Sequence, residues 1–202
     1  MTGTITGPGP GVELAARRRL ARVPIDQPPG LVPKAVGWVA RKLYGQVPDN
    51  GWALYAHRKV LWAILGFERK VAKFDAVPDD LKMLAEMAAA TEIGCSWCVD
   101  YGYFAAHQKG LDLEKLRAVP NWRDSELFSE LERQVIEFAV AATATPSEVT
   151  DELTEPLRAA LGDAGLIELA TMVAVENQRS RLNSALGLVS QGFSAVCQLP
   201  PR

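Results

Sequence analysis

From Pro33 onward apolar residues recur at helical spacing, and nowhere do they alternate in the two-residue rhythm of a half-buried strand. Val36, Val39, Ala40 and Leu43 form a first stripe, which Gly45 and Pro48 end. The stretch from Trp52 to Phe74 continues the pattern through Leu61, Ile64, Leu65 and Phe67. Val77-Pro78-Asp79-Asp80 then predicts a helix start, because a proline and two acids suit a first turn whose N–H groups lack partners. At about 100° per residue, Leu81, Leu84, Ala85 and Ala88 share one side of this helix. Glu92 falls within about 20° of Leu81 on that side, whereas Glu86 points to solvent. A carboxylate is therefore expected on the buried face, one turn before Cys95.

Gly94 offers a break, and a further helix is predicted from about Cys95 to Lys109-Gly110, with a basic residue and a glycine at the stop. Leu131, Val135, Phe138 and Ala142 mark another helix after Ser125 to Ser129. Thr145-Pro146-Ser147-Glu148 has the form of a capping box with proline at the first helical position, and Pro156 limits that helix or forces a restart. Asp163 opens the last long helix, running toward Gly192 with a stripe of Leu166, Ala170, Val173, Asn177, Arg181, Ser184 and Leu188. Buried polar groups must find partners, so Asn177 and Arg181 either knit elements together or face a site. The pattern predicts a single all-α bundle of about seven to nine helices. Residues 1–30, rich in Gly and Pro around Arg17-Arg18-Arg19, read as a loosely ordered arm that wraps over the body or a neighbouring subunit; 31–195 form the domain and 196–202 a tail.

Composition narrows the function. The net charge is −2 and the isoelectric point about 5.8, with no run of Lys and Arg, which argues against nucleic acid and acidic membranes as partners. No apolar stretch reaches the roughly 18 residues of a membrane span, and Met1 to Gly11 lacks the basic and apolar regions of a secretory leader, so a cytoplasmic location is expected. Three cysteines are too few for a secreted disulfide framework.

Two of those cysteines form Cys95-Ser96-Trp97-Cys98. Thiols three apart on a helix share a face with Cα atoms about 5 to 5.5 Å apart, close enough to join without backbone movement. A redox role, two inert core thiols and a zinc site are the alternatives; zinc wants four ligands, and only Cys197, two remote histidines and carboxylates remain, so no metal is expected. A thiol becomes a useful thiolate only with help from a helix N-terminus, a cation or a base. The helix start near Cys95 is one such source. Tyr101 and Glu92 are the local polar groups that could move a proton, while Gly102 leaves room beside Cys98. Neither His57 nor His107 is placed near the thiols; His107 lies nine residues past Cys98, on the opposite side of a straight helix.

Gly94-Cys95-Ser96-Trp97-Cys98 after an alanine-rich helix, then Gly110-Leu111, and later Glu176-Asn177-Gln178-Arg179-Ser180-Arg181-Leu182-Asn183 with Ala185-Leu186-Gly187, resemble the carboxymuconolactone decarboxylase and alkylhydroperoxidase D-like family over roughly residues 52–193. The resemblance implies an all-α fold of the alkylhydroperoxidase D-like type, homo-oligomeric assembly and no cofactor. In the redox branch it implies a cysteine pair that reduces peroxides or disulfides and is restored by an external dithiol. It makes Cys98 the nucleophile and Cys95 the resolving thiol, where a thioredoxin analogy would reverse them. The pattern of the alkylhydroperoxidases also has a histidine four residues after the second cysteine and a glutamate twelve before the first; Gly102 and Met83 stand there in this chain. The family's other branch implies a lyase or isomerase acting on a small carboxylated lactone, with Arg181 holding the carboxylate and Glu92 moving protons. A non-catalytic helical oligomer that binds a small ligand is the remaining reading.

Overall fold

The computed structural model describes residues 11–197. Among them every regular element is helical: α1 Leu14–Leu20, α2 Leu31–Tyr44, α3 Asp49–Tyr55, α4 Arg58–Val71, α5 Asp79–Ile93, α6 Ser96–Gln108, α7 Leu113–Ala118, α8 Glu130–Thr143 and α9 Asp151–Ala185, with 3₁₀ turns at Val119–Asp124 and Phe193–Cys197. No described helix is long and apolar enough to cross a membrane.

The core is a trio of mutually packed helices, α5, α8 and α9. Its centre is α5, which buries residues on nearly every side, from Leu81 through Leu84, Ala85 and Met87 to Ala90. Alanines let α8 and α9 approach it closely. Ser129 caps α8 in a reciprocal box with Glu132, a start that the sequence reading does not single out. α6 lies against α5 and carries the final 3₁₀ turn on its outer side. That turn is held by Asp100 (4% exposed), whose carboxylate accepts from the backbone N–H groups of Gln191, Gly192, Phe193 and Ser194 at 2.7 to 3.1 Å and from the Ser194 hydroxyl at 2.6 Å.

Several expectations change. The Thr145–Pro146 bond is cis, and the helix begins at Asp151, so the segment proposed as a capping box is a connection. α9 is interrupted at Gly162, whose φ of +73° only glycine adopts readily; the helix restarts where Asp163 suggests it and ends at Ala185, before Gly192. Trp52 to Phe74 is split at His57, whose Nδ1 accepts from the Val60 N–H at the start of α4. The arm is packed from residue 11 on: Val12 donates to Ser190 O, Arg22 N to Leu186 O, Arg17 pairs with Asp49 at 3.0 Å and Ile25 is buried. Residues 1–10 and 198–202 lie outside the described region, as does the Cys197 side chain. The first predicted stripe is helical but points outward: of its members only Ala40 is buried, and Val36, Val39 and Leu43 are exposed together with Leu31, Val32 and Trp38.

Candidate active site

The site forms where α5 hands over to α6. Gly94 takes a left-handed conformation (φ +78°), its N–H bonding to Thr91 O, which stops α5 and lets Cys95 start the next helix in extended backbone. Cys95 is the N-cap of α6, its Sγ accepting from the Cys98 N–H at 3.2 Å. Cys95 and Cys98 are joined in a disulfide with Cα atoms 5.3 Å apart. Their residues are 2% and 8% exposed. A thiolate released here sits against the free N–H groups and positive end of a 13-residue helix, which favours the anion.

The second contact to sulfur comes from α9. Asn183, 4% exposed, donates from Nδ2 to Cys98 Sγ at 3.4 Å. Ser180 and Glu176 stand on that same face, within about 40° of one another, one and two turns earlier. Ser180, fully buried, donates to Glu176 Oε1 at 2.7 Å. Arg179 binds Glu68 of α4 through two contacts (2.8 and 2.5 Å), Glu86 of α5 at 2.7 Å and Glu176 at 3.4 Å. Three carboxylates therefore surround one guanidinium. Burial, reinforced by the neighbouring Glu86 charge, pushes the Glu176 carboxyl up to about 8, so it holds its proton at neutral pH.

On the outer side of α6 the Trp97 ring stacks on Tyr101, centroids 5.3 Å apart, while Tyr44, Phe104 and Phe193 surround the same phenol. Burial and the Tyr44 hydroxyl push Tyr101 up to about 12, so it stays a hydrogen-bond group rather than a base. Trp97 Nε1 donates to Gln191 at 3.1 Å, tying this cluster to the 191–194 segment. Beside Cys95 lies a cavity of about 230 Å³ whose walls include Leu20, Arg22, Ser96, Ser184 and Leu188.

Three expectations need correction, those for Glu92, Glu86 and Gly102. Glu92 is exposed rather than buried, and the acid that α5 turns inward is Glu86. Because α5 is covered on almost all sides, its apolar residues mark no single face, and a phase read from them has no anchor. Gly102 does not leave room for substrate: a Cβ there would overlap the Met87 sulfur, so methionine fills the place beside the missing histidine, and Met83 is buried where the glutamate is missing. Asn177 binds Thr143 Oγ1 and Val173 O, and the exposed Arg181 reaches Thr143 O and Asn177. Both brace α9 against the end of α8, the knitting role that is one of the two readings open to them, and neither lines the cavity. Asn183, Ser180 and Glu176 belonged to the motif that carried the family resemblance, yet the stripe chosen on α9 was one residue out of phase with the face that meets the sulfurs.

The all-α bundle is matched among known proteins. Residues 58–141 fit the family model described as Carboxymuconolactone decarboxylase family. The chain is 31% identical over 176 residues to the uncharacterized protein YnjA of Escherichia coli K12, covering 85% of this chain and 93% of that one. Among solved structures it resembles the debrominase Bmp8 (TM-score 0.69, 19% identity, 96% and 97% of the two chains) and an uncharacterized peroxidase-related protein from Silicibacter sp. TM1040 (TM-score 0.71, 17% identity, 94% and 96%). With its helical architecture and its CxxC pair, the chain belongs to the carboxymuconolactone decarboxylase family, in the alkylhydroperoxidase D-like fold.

Proposed function

We propose that the protein is a cofactor-free thiol oxidoreductase that cycles between the dithiol and the Cys95–Cys98 disulfide. The observation that carries this is the joined pair at the start of α6 with Asn183 donating to Cys98. In the reduced form the helix start and the Asn183 amide stabilise Cys98 as thiolate. That thiolate attacks a peroxide oxygen, the O–O bond breaks, and the leaving alkoxide takes a proton, leaving Cys98 as sulfenic acid. The Cys95 thiolate then attacks the Cys98 sulfur and expels hydroxide, which leaves as water, closing the disulfide. A disulfide substrate is reduced by the corresponding exchange, with two thiols as products. External thiol groups, two per disulfide, return two electrons to the pair.

Protons are the harder part, since no histidine stands beside the thiols. Glu92, exposed, is not suited to the task. The protonated Glu176 carboxyl, hydrogen-bonded to Ser180 on the face that carries Asn183, is a buried acid with a pKa near the working range of general acid catalysis. The Tyr101 hydroxyl contributes as a neutral donor.

Peroxide consumption and intact mass test the proposal together. The reduced protein should lose two hydrogens under mild peroxide, and Cys98→Ser should abolish turnover. Peroxide consumption unchanged in Cys98→Ser, or no mass change in the wild-type protein, would end the thiol reading.

A further inference from the structure

The cavity beside the disulfide is asymmetric, and the asymmetry bears on how the pair is reduced. Cys95 lines it and Cys98 does not. Cys98 instead faces the buried Asn183 amide. Disulfide exchange requires the incoming thiolate, the attacked sulfur and the leaving sulfur to fall into line, and it runs faster when the leaving thiolate is stabilised. An incoming thiol that enters this cavity meets Cys95, and the sulfur it displaces is Cys98, which leaves onto the Asn183 amide and the helix start. The cavity lining at Cys95 and the Asn183 contact at Cys98 are consistent with the same direction of attack.

The walls also carry a charge. Arg22 is the one ionisable cation among the lining residues, and no carboxylate lines the cavity. Its Nη1 donates to Ser184 O and Ala185 O at 3.0 Å, which anchors the guanidinium at the end of α9. Its Nη2 and Nε carry no bond to any described residue. Ser96 and Ser184 add hydroxyls, Leu20 and Leu188 supply apolar surface, and the start of α6 adds a positive potential. A volume of about 230 Å³ suits a molecule of a few heavy atoms rather than a bulky cofactor.

We infer that this cavity is the docking site of the reductant, that the reductant is a small thiol bearing a carboxylate or similar anion read by Arg22, and that it attacks the disulfide at Cys95. This rests on the thiol cycle proposed above. The electron count closes. A first thiolate RS⁻ bonds to Cys95 Sγ as the Cys95–Cys98 bond breaks, releasing Cys98 thiolate. A second RS⁻ attacks the sulfur of the bound R group, giving RSSR and Cys95 thiolate. Two thiols are oxidised and one protein disulfide is reduced, with protons taken from solvent.

The experiment measures reduction of the full-length oxidised protein by 3-mercaptopropionate, 2-mercaptoethanol and cysteamine, probes that carry a negative, neutral and positive group beside the thiol. Rates are expressed per thiolate, and each variant is its own reference, so intrinsic thiol differences cancel. The wild-type protein should prefer mercaptopropionate over mercaptoethanol and disfavour cysteamine. Arg22→Gln should reduce the preference for mercaptopropionate by about fivefold. If Arg22 serves only to cap α9, the variant will slow all three probes alike, and the inference fails. Should Arg22→Gln not fold, the wild-type preference measured at low and high salt decides the matter, since attraction between exposed charges fades over a shortened Debye length. No wild-type preference, or one indifferent to salt, overturns the anionic docking site and leaves the thiol cycle standing; a disulfide that none of the three probes reduces overturns both.

Discussion

Replacing Glu176 by glutamine isolates a buried acid that holds its proton at neutral pH. Glutamine keeps the size and mimics a carboxyl that never gives up its proton; its one amide oxygen can accept from Ser180 or from Arg179, which bond to different oxygens of Glu176. In the folded protein Glu176 titrates near 8, because burial and the adjacent Glu86 both oppose its ionisation; the ordinary value is 4.5. Between those two pH values the folded chain holds a proton that the unfolded chain has released. Stability therefore falls as pH rises, by ~1.4 kcal/mol per pH unit for this one group. The contribution is fully present below 4.5 and is lost as the pH climbs toward 8. The glutamine variant lacks this slope. Relative to the wild-type protein it should gain about 1 kcal/mol by pH 5, about 3 by pH 7, and level off near 5 above pH 8.

Urea unfolding of the two proteins at half-unit intervals from pH 4.5 to 9 measures this difference. Both should be kept oxidised, so that Cys95 and Cys98 do not titrate. Groups remote from position 176 are common to the pair and cancel in the difference, whereas Glu86, Glu68 and Arg179 belong to the same coupled network and shift with it. Parallel curves across the whole range would refute the reasoning, for they would mean that Glu176 is ionised in the fold and that Arg179 neutralises it. A glutamine variant that is less stable at pH 8 would say the same more strongly.

Asp100→Ala strips the acceptor from four backbone N–H groups and a hydroxyl in the 191–194 segment, and should cost about 3 kcal/mol in urea unfolding while exposing Trp97 to a fluorescence quencher. Gly102→Ala drives a methyl into the Met87 sulfur and should destabilise the fold by about 1 to 3 kcal/mol, whereas pairing it with Met87→Ala should recover part of the loss. The exposed apolar faces of α2 and α4, with Leu31, Trp38, Leu43 and Trp62 each more than 60% exposed, should be covered by a second copy of the chain. Light scattering should then show an oligomer that Trp38→Glu weakens, and a monomeric wild-type protein would disprove it.

What could be read from the sequence was local. Gly94 ends one helix and Cys95 starts another because a left-handed glycine and an extended residue do that whatever surrounds them, so the geometry of the thiol pair was legible from four residues. The interruption before Asp163 was equally local. Side-chain phase was another matter. On α5 the reading placed Glu92 inside and Glu86 outside, and the fold reverses them: a helix enclosed by α6, α8 and α9 is apolar all round, so its residues give no angular reference until its last turn emerges at the surface. On α9 the polar residues of the family motif were visible, but choosing among Asn177, Arg181 and Asn183 required knowing where α6 packs. The outward face of α2 was legible as amphipathic; that its apolar side has no cover within one chain was not.

In the proposed cycle, a chain with no histidine beside Cys98 has to divide the work at the sulfurs differently. An imidazole beside Cys98 would accept the thiol proton and then stabilise the thiolate as a cation. Asn183 can do only the second of these, since an amide donates a hydrogen bond but takes no proton at neutral pH. Met87 occupies the space beside Gly102, so an imidazole could not stand there without rebuilding the core. The proton must then be handled at a distance, and the face of α9 that supplies the amide also carries a hydroxyl and a carboxyl held near the pH at which a thiol titrates. In the proposed cycle, charge stabilisation at Asn183 and proton storage at Glu176 sit two turns apart on one helix. Because that helix packs against α5 on the way to the sulfurs, a change in Glu86 or Glu68 that relaxes the Arg179 network should alter the acidity of Cys98 without touching either cysteine.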